Sequence, residues 1–89
     1  MSDDRYKHLY TIILDVIEPK LLEAGLDRAA VKGDTDLTDI LDSFGILETI
    51  IEIEERAGVS ADLAKMDFVT AMTVGGLAKE IIRINPIMS

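Results

Sequence analysis

Ser43 is the residue whose type and setting offer covalent chemistry. It stands in the run Leu41-Asp42-Ser43-Phe44-Gly45-Ile46-Leu47-Glu48, between an acid and an aromatic, at the start of a strongly amphipathic acidic segment. A primary hydroxyl there can carry a phosphodiester-linked arm. A phosphate at that point would face free backbone amides and the positive end of a helix. Asp42 adds negative charge, so placement of the group would rely on those amides and not on a basic pocket. Ser43 also suits a helix N-cap, a role worth about 1 kcal/mol. The two roles are compatible before modification. Ser43 lacks the surrounding pattern of a nucleophile elbow, so it reads as a substrate and not as a catalyst.

Other chemistry-bearing residues do not converge. Asp34-Thr35-Asp36 could open a calcium loop, but that pattern needs glycine at its sixth position and glutamate at its twelfth. Here those positions are Asp39 and Gly45. His8 is the only histidine. It has no sequence partner for a triad or a metal site and reads as a surface or packing residue. The glutamates of the acidic segment would need a pocket and raised pKa values to act as acid or base, and they read as a solvated face. No phosphate-cradling glycine loop is present. Without cysteine there is no disulfide, thiolate metal site or cysteine nucleophile. The chain is therefore read as a non-enzyme.

Helical periodicity supplies the elements that position Ser43. Leu9, Ile12, Ile13, Val16 and Ile17 mark one face of a first helix. Asp3 and Asp4 suit its N-terminal end. Pro19 should end or kink it near Glu18, with Leu21 and Leu22 packing in a last turn and Gly25 as the stop. Residues 25 to 41 lack sustained periodicity and form a long ordered loop pinned by Leu26, Val31, Leu37 and Ile40. Such loops are often functional.

The second helix should run from Ser43 to Ala57 and close at Gly58. Ile46, Ile50, Ile53 and Ala57 form its core stripe, each isoleucine worth roughly 1.5–3 kcal/mol on burial. Phe44, Leu47 and Ile51 form a second apolar stripe, edged by Glu48, Glu52, Glu54 and Glu55. That stripe is either a contact surface or a second packed side. A short helix is expected at Ser60-Ala61-Asp62-Leu63-Ala64, capped by Ser60. Phe68 and Val69 are expected to plug the core. Thr73 should cap a last helix bearing Val74, Leu77, Ala78, Ile81 and Ile82, ended by Asn85-Pro86. Gly75 and Gly76 lower its propensity by about 1 kcal/mol each and could permit close packing. The fold class is all-α, a small four-helix bundle of three main helices, one short helix and a long first loop.

At 89 residues the chain makes one small domain. A chain this size buries only about 60 % of its unfolded surface, which leaves little room for a deep catalytic cleft. No apolar stretch approaches the roughly 20 residues of a membrane span. The start, Met1-Ser2-Asp3-Asp4, lacks the order of a signal peptide, and a cytoplasmic location is expected. Seventeen acids against nine basic residues give a formal charge of −8. Such a chain repels phosphate backbones, which argues against nucleic-acid binding. It favours basic protein surfaces, unless the acidity serves only solubility.

Over residues 5 to 84, and most strongly from Leu41 to Arg56, the chain resembles the acyl carrier protein family. That family's attachment motif is Asp-Ser followed by a large apolar residue, with an acidic helix behind it. Here it reads Asp42-Ser43-Phe44, then Glu48, Ile50, Ile51, Ile53, Glu54 and Glu55. The form Leu-Asp-Ser-Phe-Gly-Ile-Leu-Glu is most similar to stand-alone carriers of the D-alanyl carrier type. Thr73-Val74-Gly75-Gly76-Leu77-Ala78 resembles the opening of the family's last helix. The resemblance implies a single carrier domain, 1–89, with a four-helix carrier fold. It implies 4′-phosphopantetheine on Ser43, attached by a phosphopantetheinyl transferase from coenzyme A with magnesium. The arm's thiol would hold an acyl or aminoacyl group as a thioester, which fits a chain without cysteine. Asp42 would help present the site. Phe44, Leu47, Glu48, Ile51 and Glu55 match positions the family uses for docking partners.

The pattern also departs from fatty-acid carriers. Ile40 stands where many have glycine, Gly45 where they have an acid, and Thr49 where they have a core leucine. The segment from Ser60 to Met72 is longer than usual. These differences favour a specialised carrier, in secondary metabolism or envelope modification, served by a loading ligase and a downstream transferase or synthase. A monomer is expected, since the arm must be accessible. The competing reading is an unmodified acidic helical adaptor that binds protein partners.

Overall fold

The structure is a computed structural model that describes residues 3–85. Three α-helices carry it: α1 (Asp3–Glu23), α2 (Ser43–Ala57) and α3 (Val74–Ile84). Single 3₁₀ turns lie at Arg28–Ala30, Leu37–Asp39 and Thr70–Met72. No strand forms among the described residues, where one isolated antiparallel bridge joins Asp36 to Thr73. No described helix is long and apolar enough to cross a membrane. The result is the small helical bundle expected from the periodicity.

On α1 the i, i+4 row Leu9, Ile13, Ile17 and Leu21 is completely buried, each side chain contributing about 1.5–3 kcal/mol. The helix runs through Pro19 instead of ending at Glu18. Proline removes one internal hydrogen bond, but burial of Leu21 two residues further holds the last turn against the core. Leu22, about 100° around the helix from it, is exposed. The end is a Schellman motif. Gly25 has φ +74°, its amide donates to the Leu22 carbonyl, and the Leu26 amide donates to the Leu21 carbonyl at 2.8 Å. Gly58 likewise adopts φ +66° to stop α2.

The loop from 25 to 41 is ordered and holds two of the 3₁₀ turns. Val31, Leu37 and Leu41 are its buried anchors, Ile40 is half-buried, and Leu26 is exposed instead of pinning the loop. Arg28 ties the loop to α1 through Asp15 at 2.6 Å and Glu18 at 3.4 Å. The loop also satisfies the first amides of α3, which have no partner within their own helix. Val74 N–H donates to Thr35 O at 3.1 Å, and Gly75 N–H to Gly33 O at 2.8 Å. Gly76 N–H donates to the Thr73 hydroxyl at 3.0 Å, the cap expected from the sequence. Gly75 and Gly76 make this approach possible. A side chain at Gly75 would meet the Tyr6 hydroxyl and the Gly33 carbonyl, and one at Gly76 would run into the Thr70 carbonyl.

The segment between α2 and α3 departs most from expectation. Residues 60–64 are not helical. The Ser60 carbonyl, which would accept from Ala64 in a helix, instead accepts from Asn85 Nδ2 at 2.6 Å. Ala64 N–H turns to the Asp62 carboxylate at 3.0 Å. The short element lies later, at Thr70–Met72. Phe68 and Val69 do not plug the core: Val69 is 86 % exposed and Phe68 is exposed too. Ala61, Met66 and Ala71 fill that place. Asn85 stops α3 through its amide; Pro86, expected to share that role, lies outside the described residues.

Among the described residues Glu80 is the buried charged side chain, only 6 % exposed. It accepts from the Asp67 amide at 2.8 Å and from Arg83. The Arg83 hydrogen bond, against desolvation and aided by the Asp67 amide, holds its carboxyl below its ordinary value of 4.5. A lowered folded-state pKa adds stability that is complete above the ordinary value and disappears as pH falls through the folded one. Glu80→Gln should therefore lower the thermal midpoint most above pH 5 or so, about where an ordinary glutamate is ionised. The gap to wild type should narrow as pH drops beneath 4.5. A gap that stays constant across a pH series of melting curves would remove this assignment.

Candidate functional site

The approach to Ser43 is held by local hydrogen bonds. The turn Leu37–Asp39 is capped by Asp36, whose carboxylate accepts from the Thr38 amide at 2.9 Å and hydroxyl at 2.6 Å. Those bonds hold the Asp36 carboxyl below the usual range. They also commit it to the turn. Among the described residues no cluster of three or more histidine or acidic side chains is suited to a metal ion. Leu41 follows, with its side chain buried and its amide on Leu37 O at 2.8 Å.

Asp42, and not Ser43, caps α2. Its backbone is extended at φ −82°, ψ 178°, and its carboxylate accepts from Gly45 N–H at 2.7 Å. Its carbonyl accepts the first helical bond, from Ile46 N–H at 3.0 Å. Both residues are cap formers, and one residue's difference in register decides the role. Ser43 is thus the first helical residue. It is exposed, and its hydroxyl has no hydrogen-bond partner among the described residues. The amides of Ser43 and Phe44 also lack an acceptor there, as the start of a helix dictates. A free hydroxyl therefore sits beside two free amides at the positive end of a 15-residue helix.

Beside Ser43 runs a groove of about 500 Å³. Ile46 and Leu47 of α2 line one side, Phe68 and Met72 line another, and Thr38 borders it as well. No lysine or arginine lines it. The sequence does not reveal this groove, because the apolarity of Phe68 points to the core. The one available signal was the surplus of apolar residues between Leu63 and Met72 over what a short connection can bury.

The second apolar stripe of α2 is open. Phe44 is 68 % exposed, Leu47 40 % and Ile51 55 %. At 100° per residue, Leu47, Ile51, Phe44, Glu55 and Glu48 fall in that order within an arc of about 100°. The acidic edge is narrower than the sequence suggested. Glu48 and Glu55 are exposed, without an ion pair among the described residues. Glu52 instead pairs with Arg56 at 3.0 Å. Glu54 accepts from the Ala61 amide at 2.7 Å. Thr49, buried where a leucine was the resemblance's expectation, directs its hydroxyl to Gly45 O at 2.8 Å. His8 is exposed on α1, away from these groups in sequence. No protein-family model, curated protein or solved structure matches this chain.

Proposed function

We propose that this chain is a carrier protein of the acyl carrier type, bearing 4′-phosphopantetheine on Ser43. The observation that carries the reading is the free, exposed Ser43 hydroxyl at the first position of α2. Asp42 takes over the cap, so the hydroxyl is left available without loss to the helix. The residues present fit the group. The amides of Ser43 and Phe44 and the helix N-terminus favour a phosphate, and the adjoining groove has apolar walls for an arm. When bound, the group would supply the thiol that this chain lacks, to hold an acyl or aminoacyl cargo. Asp42 fixes the geometry of the serine, and Phe44, Leu47 and Ile51 with Glu48 and Glu55 present a docking face. Partners on this reading are a phosphopantetheinyl transferase, a loading ligase and a downstream transferase or synthase, in a cytoplasmic pathway.

The test is the intact mass after incubation with coenzyme A, magnesium and a broad-specificity phosphopantetheinyl transferase. Addition of one phosphopantetheine is the expected result. No addition to folded protein, with a second transferase also tried, would transfer the reading to the unmodified adaptor. Docking has its own test. The double variant Glu48→Lys, Glu55→Lys should slow modification at low salt while the helical circular dichroism stays unchanged. The difference should shrink as salt rises, since exposed charges more than about 10 Å apart are screened at 0.1 M. Equal rates for the two proteins at low salt would exclude this face for the transferase used.

A further inference from the structure

The segment from Val59 to Val69 has no helix or strand of its own. It is held instead by side chains that reach it from the helices. Glu54 of α2 accepts from the Ala61 amide. Asn85 brackets Ser60, accepting from its amide at 3.1 Å and donating to its carbonyl. At the other end, Glu80 of α3 accepts from the Asp67 amide, and Arg83 donates to the Lys65 carbonyl at 2.6 Å. Glu80 and Arg83 are themselves paired at 2.8 Å. Between these fixed points the strap buries Ala61 and Met66 but leaves Leu63, Phe68 and Val69 exposed. In its second half Met66 is the apolar anchor, and the residues after it are held by polar contacts of the Asp67 and Val69 amides, next to Phe68 and Met72 that wall the groove beside Ser43.

From this placement we infer that the Glu80–Arg83 pair is a clamp that sets the groove beside Ser43, with residues 67–69, beyond the Met66 anchor, as a movable wall. Few apolar contacts and a short run of side-chain hydrogen bonds give a segment that opens locally, below the cost of global unfolding. Release of the clamp frees the Asp67 amide and the Lys65 carbonyl together. Phe68 then moves away from Leu47 and Ile46, and the groove widens. The glutamate and the arginine act through the strap and are positioning residues. Whether groove width matters to an arm on Ser43 rests on the carrier reading; the clamp itself does not.

The experiment uses the unmodified full chain, so its outcome is independent of the carrier reading. Amide hydrogen exchange and the fluorescence of Nile red, a neutral apolar probe, are compared for wild type, Glu80→Gln and Arg83→Gln. Loss of one charged hydrogen bond should speed exchange at Asp67 and Val69 by about ten- to hundredfold. The amides of α1 and α2 should speed up by no more than the fall in global stability read from the melting curves, and so by less than the strap. Nile red should bind more tightly to both variants, and the added substitution Phe68→Ser should abolish that gain. Uniform acceleration over the whole chain would make the pair a general stabiliser and overturn the clamp. Unchanged exchange in the strap would overturn it as well, and so would faster strap exchange with no change in probe binding. Should Glu80→Gln fail to fold, Arg83→Gln, whose side chain is about half exposed, decides on the same criteria.

Discussion

Ser43→Ala is expected to abolish addition of the arm and to leave the thermal midpoint almost unchanged. The first effect is complete, because the variant has no oxygen at the attachment position. The second follows from the cap. Asp42 supplies the side-chain acceptor for Gly45 N–H, and the Ser43 hydroxyl has no partner to lose among the described residues. An exposed substitution of this kind changes stability by no more than about 0.5 kcal/mol. Asp42→Ala supplies the contrast, since removing the cap should cost about 1 kcal/mol. Intact-mass measurement and thermal denaturation on the same samples read both effects. A Ser43→Ala protein that still gains one phosphopantetheine would place the arm elsewhere and defeat the carrier reading at this residue. One that melts well below Asp42→Ala would mean that the serine, and not the aspartate, holds the helix start.

Gly76→Ala should have the largest effect on the fold, with a sign opposite to helix propensity. In an exposed helix the exchange of glycine for alanine stabilises by about 1 kcal/mol. Here the new methyl would be driven into the Thr70 carbonyl. That atom is main chain, in a turn that also bonds Asp67 through the Ala71 N–H and the Thr70 hydroxyl, so it yields less readily than the end of a flexible side chain. Overpacking of this type costs about 1–3 kcal/mol or more. For a domain of this size each kcal/mol lowers the midpoint by about 4–8 °C. Gly75→Ala should be milder. Its nearest obstacle is the Tyr6 hydroxyl, 2.7 Å from the would-be methyl, with the Gly33 carbonyl at 3.0 Å; the tyrosine can rotate and the carbonyl cannot. Melting curves that rank Gly76→Ala at or above wild type would show that the Thr70–Met72 turn yields freely.

What the sequence made legible was local. The isoleucine stripe of α2, the stop at Gly58 and the Thr73 cap depend on residues within one or two turns of each other, and the structure has all three. Gly25 was also readable, since only its own φ and the adjoining turn are involved. Pro19 does not end the helix, because the fully buried Leu21 holds the turn that follows it against the core. Asp42 and Ser43 are both competent caps, and the backbone dihedral that separates them is not written in either side chain. The strap was illegible for a different reason. Its path is fixed by Glu80, Arg83 and Asn85, 13 to 25 residues away in sequence from the peptide groups they hold, and by Glu54, 7 residues from the Ala61 amide. Phe68 was placed in the core by its apolarity alone, although the core space had already been taken by Met66 and Ala71. The groove beside Ser43 went unseen with it.

The hydrogen bonds from Val74 and Gly75 back to Thr35 and Gly33 bear on how the chain acquires its shape during synthesis. Loop and helix end complete each other: the carbonyls of the first loop have no helix of their own, and the amides of α3 have no earlier turn to use. The last helix also contributes Val74, Leu77, Ala78 and Ile81 to the interior. A nascent chain that has delivered α1, the loop and α2 from the ribosome still lacks one wall of its core and the acceptor's partner at both loop carbonyls. Contacts between such distant segments are costly to close and slow to form. The interior is therefore closed only once α3 has emerged, whereas the bonds around Ser43, all within residues 36–46, need nothing from it.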